Sequence, residues 1–155
     1  MQKKVVFVCT GNTCRSPMAK AIFQSLIEGR EDLKKELLVS SAGIYAFEGD
    51  PASLEAIEVM QEEFDTDLRS HRARVLDDKD IREAYLILTM TGHHREMILE
   101  LYPEAADKVY TLKGFAQEGK DGDISDPYGQ NFDTYKECAY EIESLLLDIL
   151  DKVDW

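Results

Sequence analysis

The chain has 155 residues, 44% of them hydrophobic and 32% charged, a balance typical of one soluble globular domain spanning residues 1–155. Its formal net charge of −13 argues against broad contacts with phosphate backbones, so we expect no nucleic-acid partner. Three cysteines are too few for a disulfide scaffold. The three histidines are not spaced from the cysteines as metal ligands would be, so we expect no metal and no cofactor. Because no apolar run is long enough for a signal peptide or a membrane span, we expect a cytoplasmic protein without membrane contacts. We also expect a monomer.

The first predicted elements are a strand, a tight loop and a helix. The run Val5–Val8 is continuously apolar, which is typical of a strand buried on both faces of a parallel sheet. A turn with a glycine follows, and Ser16 and Pro17 suit the N-cap and the first position of a helix. One apolar helix face is then predicted at helical spacing, formed by Ala19, Ile22, Phe23, Leu26 and Ile27.

The rest of the chain continues to alternate between strands and helices. The predicted elements are a strand at 37–39 running into a turn at 40–43, a helix at 51–64, a strand at 85–88, a helix at 93–101, a weaker strand at 108–112, a loop at 117–123 and a helix from about 133 to 152. The acidic run at 77–80 is predicted to be a solvated surface. This order predicts an α/β fold with a doubly wound, four-stranded parallel sheet flanked by helices on both faces. Ligands of such sheets bind beyond the carboxyl ends of the strands, where we place Cys9 and Ser41.

The segment from Cys9 to Ser16 has the features of an anion-binding loop. Backbone N–H groups of a loop that curls into a helix point into its hollow, and the helix dipole favours a negative charge there. Gly11 eases the curl, and Asn12 is one of the few residue types that tolerate a positive φ. Arg15 adds a fork of donors for two phosphate oxygens. We expect the same donors to lower the pKa of Cys9 well below its usual value of about 8.5.

A thiolate beneath a bound phosphate is placed for in-line attack, so the loop predicts a covalent phosphocysteine. The leaving group then needs a proton, because an alkoxide, a phenolate or a deprotonated guanidine leaves poorly. Asp126, beside Pro127 in a loop, is the candidate acid, and it would later activate water against the phosphocysteine.

With these residues in view, the chain resembles the low-molecular-weight protein tyrosine phosphatases over nearly its whole length. The resemblance rests on the segments 5–19, 41–43, 70–74, 88–90 and 126–129. It implies that Cys9 is the nucleophile, Arg15 the phosphate clamp and Asp126 the general acid. It also implies a phosphate-binding loop of Thr10, Gly11, Asn12, Thr13, Cys14, Arg15 and Ser16, in which Ser16 bonds the thiolate and Asn12, Ser41 and His71 support the loop. Cys14 resembles a cysteine that forms a reversible disulfide with the nucleophile.

The resemblance also bears on the substrate, which we expect to be a phosphorylated protein side chain. Tyrosine-directed members often carry a large aliphatic residue where this chain has Thr13, and members with threonine there resemble bacterial protein arginine phosphatases. Phe47 and Tyr128 are expected to wall the substrate site, and Phe47 fits a phosphotyrosine ring as well. The sequence favours phosphoarginine, with phosphotyrosine close behind.

Three other functions are compatible with a reactive cysteine loop. An arsenate reductase would relay oxidation through two further cysteines in the middle of the chain, but none lies between Cys14 and Cys138. A phosphocysteine carrier of a sugar-transport system would not need Asp126, and its loop usually lacks the arginine. A redox sensor that uses Cys9 and Cys14 would not explain Arg15 together with Asp126.

Overall fold

A computed structural model of the protein describes residues 2–117 and 122–155. Its elements, in chain order, are β1 (Lys3–Cys9), α1 (Arg15–Glu28), α2 (Glu31–Glu36), β2 (Leu37–Gly43), α3 (Leu54–Phe64), α4 (Asp78–Glu83), β3 (Ala84–Thr89), α5 (Gly92–Leu101), a 3₁₀ turn (Pro103–Ala105), β4 (Val109–Thr111), α6 (Leu112–Ala116) and α7 (Phe132–Lys152).

The four strands form one parallel sheet in the order β2-β1-β3-β4. In its register, Cys9 at the end of β1 lies opposite Gly43 at the end of β2, and Val8 lies opposite Thr89 at the end of β3. The carboxyl ends of three strands therefore meet at one edge of the sheet, which is where ligands of doubly wound folds bind.

Helices cover both faces of the sheet, because alternate residues of β1 point to opposite sides. Val5 and Phe7 pack in a core with the apolar faces of α1, α3 and α7. Val6 and Val8 pack in a second core that includes Ile81 of α4 and Ile98 of α5. The predicted α/β, doubly wound architecture is confirmed.

The main differences from the sequence prediction are short elements and strand ends. The strand predicted at 37–39 continues through residues 40–43, since Ser41 and Ala42 pair with β1 instead of turning away. The short helices α2, α4 and α6 are absent from the prediction, and each has too few residues for a clear helical period. Residues 118–121 of the predicted 117–123 loop lie outside the described residues.

The acidic run at 77–80 is only partly a solvated surface. Asp77 and Asp80 form a reciprocal capping box at the start of α4, and Asp80 is buried. Asp80 also forms ion pairs with Lys4 and Arg74, which compensate its buried charge.

Across the part of the chain that the structure describes, no helix combines the length and apolar character needed to cross a membrane.

Candidate active site

The predicted phosphate-binding loop joins the end of β1, one of the two central strands of the sheet, to the start of α1. Helix α1 begins at Arg15, and its N-cap is Cys14, which makes no side-chain cap. The prediction that Ser16 caps this helix is therefore wrong. Ser16 lies in the first turn, fully buried, and its hydroxyl bonds the side chains of Cys9 and Asn12 instead.

Asn12 is the centre of the hydrogen bonds that hold the loop. Its φ of 57° lies in the left-handed region, as the sequence predicted for this residue type. Its buried amide donates to the hydroxyls of Ser16 at 2.8 Å and Ser41 at 3.0 Å, and its side-chain oxygen accepts the backbone N–H of Arg74 at 3.0 Å. Its carbonyl bonds His71 Nε2 at 2.7 Å. Four neighbours thus fix one strained residue, so Ser41 and His71 are placed where loop support requires them.

The end of β2 and the segment after it hold the outside of the loop. The backbone N–H groups of Ile44 and Tyr45 donate to the carbonyls of Cys9 and Thr10, at 3.0 and 2.9 Å. Gly43 allows this approach, because an added Cβ would lie 2.6 Å from the Thr10 carbonyl oxygen. These bonds tie the carbonyls of Cys9 and Thr10 to the segment that follows β2.

The Cys9 thiol lies buried at the base of the loop. Its sulfur lies 2.9 Å from the Ser16 hydroxyl and 3.3 Å from the backbone N–H of Asn12, which donates to it. Burial raises the pKa of Cys9, and the hydrogen bonds from Ser16 and the positive charge of Arg15 lower it by less. The prediction of a pKa well below the usual value is therefore wrong, because the loss of water around the sulfur outweighs these donors.

Arg15 and Asp126 meet at the mouth of the loop. The buried Arg15 guanidinium donates from Nη1 to the carbonyl of Ile124 at 2.8 Å, and its Nη2 lies 3.5 Å from Asp126 Oδ2. Among the described residues, its buried Nε has no hydrogen-bond partner. A buried donor without a partner is costly, so this N–H is suited to an oxyanion held in the loop. The Asp126 side chain is half exposed, within reach of both solvent and the loop.

A cleft of about 830 Å³ opens above the loop. Its floor is the loop itself, including Thr13, and its walls include the exposed rings of Phe47 and Tyr128. The structure places both predicted wall residues beside the loop. Two acidic residues also line this cleft, Asp50 and Glu55.

Comparison with known proteins agrees with this geometry. The family model described as low molecular weight phosphotyrosine protein phosphatase matches residues 4–154. The chain belongs to this family. It is therefore a cysteine-dependent protein phosphatase that works through a phosphocysteine intermediate.

Among the relatives, a protein-arginine-phosphatase of Geobacillus stearothermophilus is 41% identical over 99% of this chain and 97% of its own length. A low molecular weight protein-tyrosine-phosphatase, PtpB, of Staphylococcus epidermidis is 34% identical over 97% of this chain and 96% of its own. The crystal structure of a low molecular weight protein tyrosine phosphatase from T. tengcongensis superposes with a TM-score of 0.90 at 43% identity, over 98% of this chain and all of that one.

In this phosphatase, Cys14 is buried and is one of the residues that line the cleft. Its sulfur lies 3.3 Å from the hydroxyl of the fully buried Tyr135 and donates to Ser53 Oγ at 3.5 Å. Cys9 and Cys14 are both free thiols. Their pairing under oxidation, inferred from the family resemblance, stays a prediction.

Two residues of the phosphatase site were not predicted from the sequence. His94 on α5 is buried, and its Nε2 lies 2.8 Å from the Thr10 hydroxyl. Burial, followed by the nearby charge of Arg15, lowers the pKa of His94 to about 4. Asp123 accepts the backbone N–H of Gly92 at 2.9 Å, which helps to hold the segment that carries Asp126. The sequence did contain a signal for including His94 in the site. His94 follows the end of β3, and that end lies at the same edge of the sheet as Cys9.

Proposed function

We propose that this phosphatase acts preferentially on phosphoarginine in proteins, with phosphotyrosine as the second candidate. The observation that carries the preference is the chemistry of the cleft around the loop. Thr13, Asp50 and Glu55, which carry a hydroxyl and two carboxylates, all line the cleft. A guanidinium carries N–H donors and positive charge for such groups, whereas a phenyl ring offers neither.

The aromatic walls are compatible with both substrates. Phe47 and Tyr128 can flank a phenyl ring, and they can also stack on the plane of a guanidinium through cation–π contacts. The relative from Geobacillus stearothermophilus supports phosphoarginine and the one from Staphylococcus epidermidis supports phosphotyrosine. The family match favours hydrolysis over the reductase and carrier functions that the sequence left open.

We further propose the following roles for the site residues. The phosphate enters the loop, where the backbone N–H groups and Arg15 bind its oxygens. Because burial favours the protonated thiol of Cys9, its proton passes to the phosphate dianion, which leaves a thiolate beside a phosphate monoanion. The thiolate attacks phosphorus as the bond to the leaving nitrogen or oxygen breaks, and Asp126 protonates that atom.

The second half of the proposed reaction releases the phosphate. Asp126, now a carboxylate, takes a proton from water while the water oxygen attacks phosphorus. The sulfur–phosphorus bond breaks, which regenerates the Cys9 thiolate and yields inorganic phosphate.

We also propose that the protein acts as a monomer in the cytoplasm, where reducing conditions keep Cys9 and Cys14 as thiols.

The substrate preference is tested at Thr13 with matched peptides that carry phosphoarginine or phosphotyrosine. We expect the intact protein to show the higher kcat/KM on phosphoarginine. Thr13→Ile should move the ratio of the two kcat/KM values toward phosphotyrosine by about ten-fold, since it removes a polar contact worth about 1 kcal/mol and adds apolar surface.

Two conservative variants separate the hydroxyl from the shape of Thr13. Thr13→Ser keeps the hydroxyl and should keep the ratio, and Thr13→Val keeps the shape and should shift it as Thr13→Ile does. An unchanged ratio in Thr13→Val would remove Thr13 from the selection of substrate. A higher kcat/KM of the intact protein on phosphotyrosine would overturn the preference itself.

A further inference from the structure

A second cavity, of about 320 Å³, lies on the other side of the loop supports and shares no lining residue with the substrate cleft. It is formed by α1, by β2 and by the segment 67–74. Four basic side chains line it, namely Lys20, His71, Arg72 and Arg74. Such a cluster is unexpected in a chain whose formal net charge is −13.

The positive charge of this cavity is only partly compensated. Arg74 pairs with Asp80, and Asp67, the carboxylate in the lining, pairs with Arg69 at 2.9 Å. Within residues 2–117 and 122–155, neither Lys20 nor Arg72 forms an ion pair.

The pKa values in the cavity reflect this crowding of positive charge. Burial and the nearby charge of Arg74 lower the pKa of Lys20. Burial lowers the pKa of His71, with Lys20 and Arg72 adding to the effect, although the bond to the Asn12 carbonyl opposes it. Basic groups that repel one another in a half-buried cavity are stabilised by an anion placed between them.

We propose that this cavity binds a phosphate-sized dianion, supplied by inorganic phosphate or by the phosphate group of a small ester. Lys20 and Arg72 provide charge that no carboxylate neutralises, and a guanidinium fork matches phosphate oxygens in geometry. The Ser41 hydroxyl accepts a bond from Asn12, so its own hydrogen remains to be donated. A volume of about 320 Å³ is at the lower end of small-molecule sites and suits a small ligand.

The proposed site is coupled to the catalytic loop through one residue. Ser41, His71 and Arg74 line the cavity, and each also bonds Asn12, the residue with positive φ. Ser41 and His71 bond Asn12 through their side chains and Arg74 through its backbone N–H, so an anion that orders these residues would also fix the back of the loop. Inorganic phosphate is the product of the reaction, so the site would let the product act on the loop from outside the cleft.

The test is a titration of the full chain with inorganic phosphate, followed by ¹H–¹⁵N NMR. Phosphate also binds the catalytic loop as product, so we expect two groups of signals with two midpoints. One group comes from residues 9–16 and the other from residues 67–74. In Lys20→Gln/Arg72→Gln the midpoint of the second group should rise about ten-fold or more, because two charge-assisted contacts are lost, while the first stays within about two-fold.

A matched control removes the same charge elsewhere. Lys35→Gln/Arg82→Gln changes two basic residues outside the cavity lining and should leave both midpoints within about two-fold of the intact protein. A single midpoint for both groups of signals, or an unchanged second midpoint in Lys20→Gln/Arg72→Gln, would overturn the proposal. A titration with methylphosphonate, which is not hydrolysed, distinguishes a phosphate ester from inorganic phosphate as the natural ligand. Tighter binding of methylphosphonate than of phosphate indicates an ester, and weaker binding indicates the free ion. These titrations measure binding alone, so their result is separate from the substrate preference tested at Thr13.

Discussion

The proposed catalytic groups differ in how far their side chains are exposed to solvent. Cys9 and Arg15 are almost fully buried, whereas the Asp126 side chain is 51% exposed. A general acid must reach the leaving atom, then a water molecule, and finally exchange its proton with solvent. The exposure of Asp126 is therefore consistent with its two proposed roles.

The role of Asp126 leads to a prediction on leaving groups. Asp126→Asn keeps the size of the side chain and removes the transferable proton, so it should slow phenyl phosphate cleavage by about 10²–10⁴-fold. Nitrophenyl phosphate has a leaving group that needs little protonation and should be slowed much less. The comparison is made on the rate of the first chemical step, by stopped flow. Equal slowing of the two substrates would exclude a role for Asp126 as acid in that step.

The buried His94 predicts a specific loss of stability in acid. Its pKa of about 4 in the folded chain lies below the value of about 6.5 for an unfolded chain. The unfolded state therefore binds a proton first as the pH falls, and stability is lost progressively from pH 6.5 to pH 4. The full effect is at most about 3 kcal/mol.

Two histidine variants isolate this effect in urea unfolding between those pH values. His94→Gln should unfold with a flatter dependence on pH, because the buried titrating group is gone. His93→Gln, which changes the exposed neighbour on the same helix, should keep the dependence of the intact protein. The same slope in all three proteins would contradict the assignment to His94.

At the scale of elements, the site depends on how closely β2 approaches the loop after β1. The two strands end side by side, and Gly43 allows the loop backbone to lie against the end of β2. In Gly43→Ala the new methyl group would meet backbone atoms of Thr10 and Asn12 at 2.6 and 2.9 Å, and neither is the end of a flexible side chain. The loop would have to move.

We therefore expect Gly43→Ala to lower both activity and stability. A shift of the loop away from its productive geometry should reduce kcat by about ten-fold or more, and the overpacking should cost about 1–3 kcal/mol. Gly29→Ala is the matched control, since a Cβ there meets nothing within 4 Å, and it should leave both quantities nearly unchanged. The measurements are kcat and the free energy of unfolding. Full activity of Gly43→Ala would show that the close approach is not required.

Sequence patterns predicted the main architecture because the strong signals are local. The apolar run in β1 and the helical period of α7 are read from neighbouring residues, and both elements were predicted within two residues of their observed ends. The roles of His94 and Asp80 depend on partners distant in the chain, Thr10 and Lys4 respectively. The prediction for the pKa of Cys9 was wrong for a related reason. The hydrogen-bond donors around the sulfur can be counted in the sequence, but the depth of its burial cannot.

For the molecule as a whole, the formal net charge of −13 should influence which substrates arrive at the cleft. The proposed catalytic anion site lies in a buried loop, so a phosphoprotein that approaches the substrate cleft first meets the field of a strongly acidic chain. Basic residues flanking the phosphorylated side chain should speed association, and acidic residues should slow it. Asp50 and Glu55 at the cleft extend this field to the immediate entrance.

This leads to a prediction on salt dependence, measured as kcat/KM with two phosphoarginine peptides that differ only in flanking lysine or glutamate residues. At low ionic strength the lysine peptide should be turned over about ten-fold more efficiently, because the field steers its approach. At about 1 M salt the screening length falls to about 3 Å, so the difference should shrink to about two-fold. A difference that persists in high salt would indicate direct contacts with the flanking residues, and no difference at low salt would show that the net charge does not steer substrates.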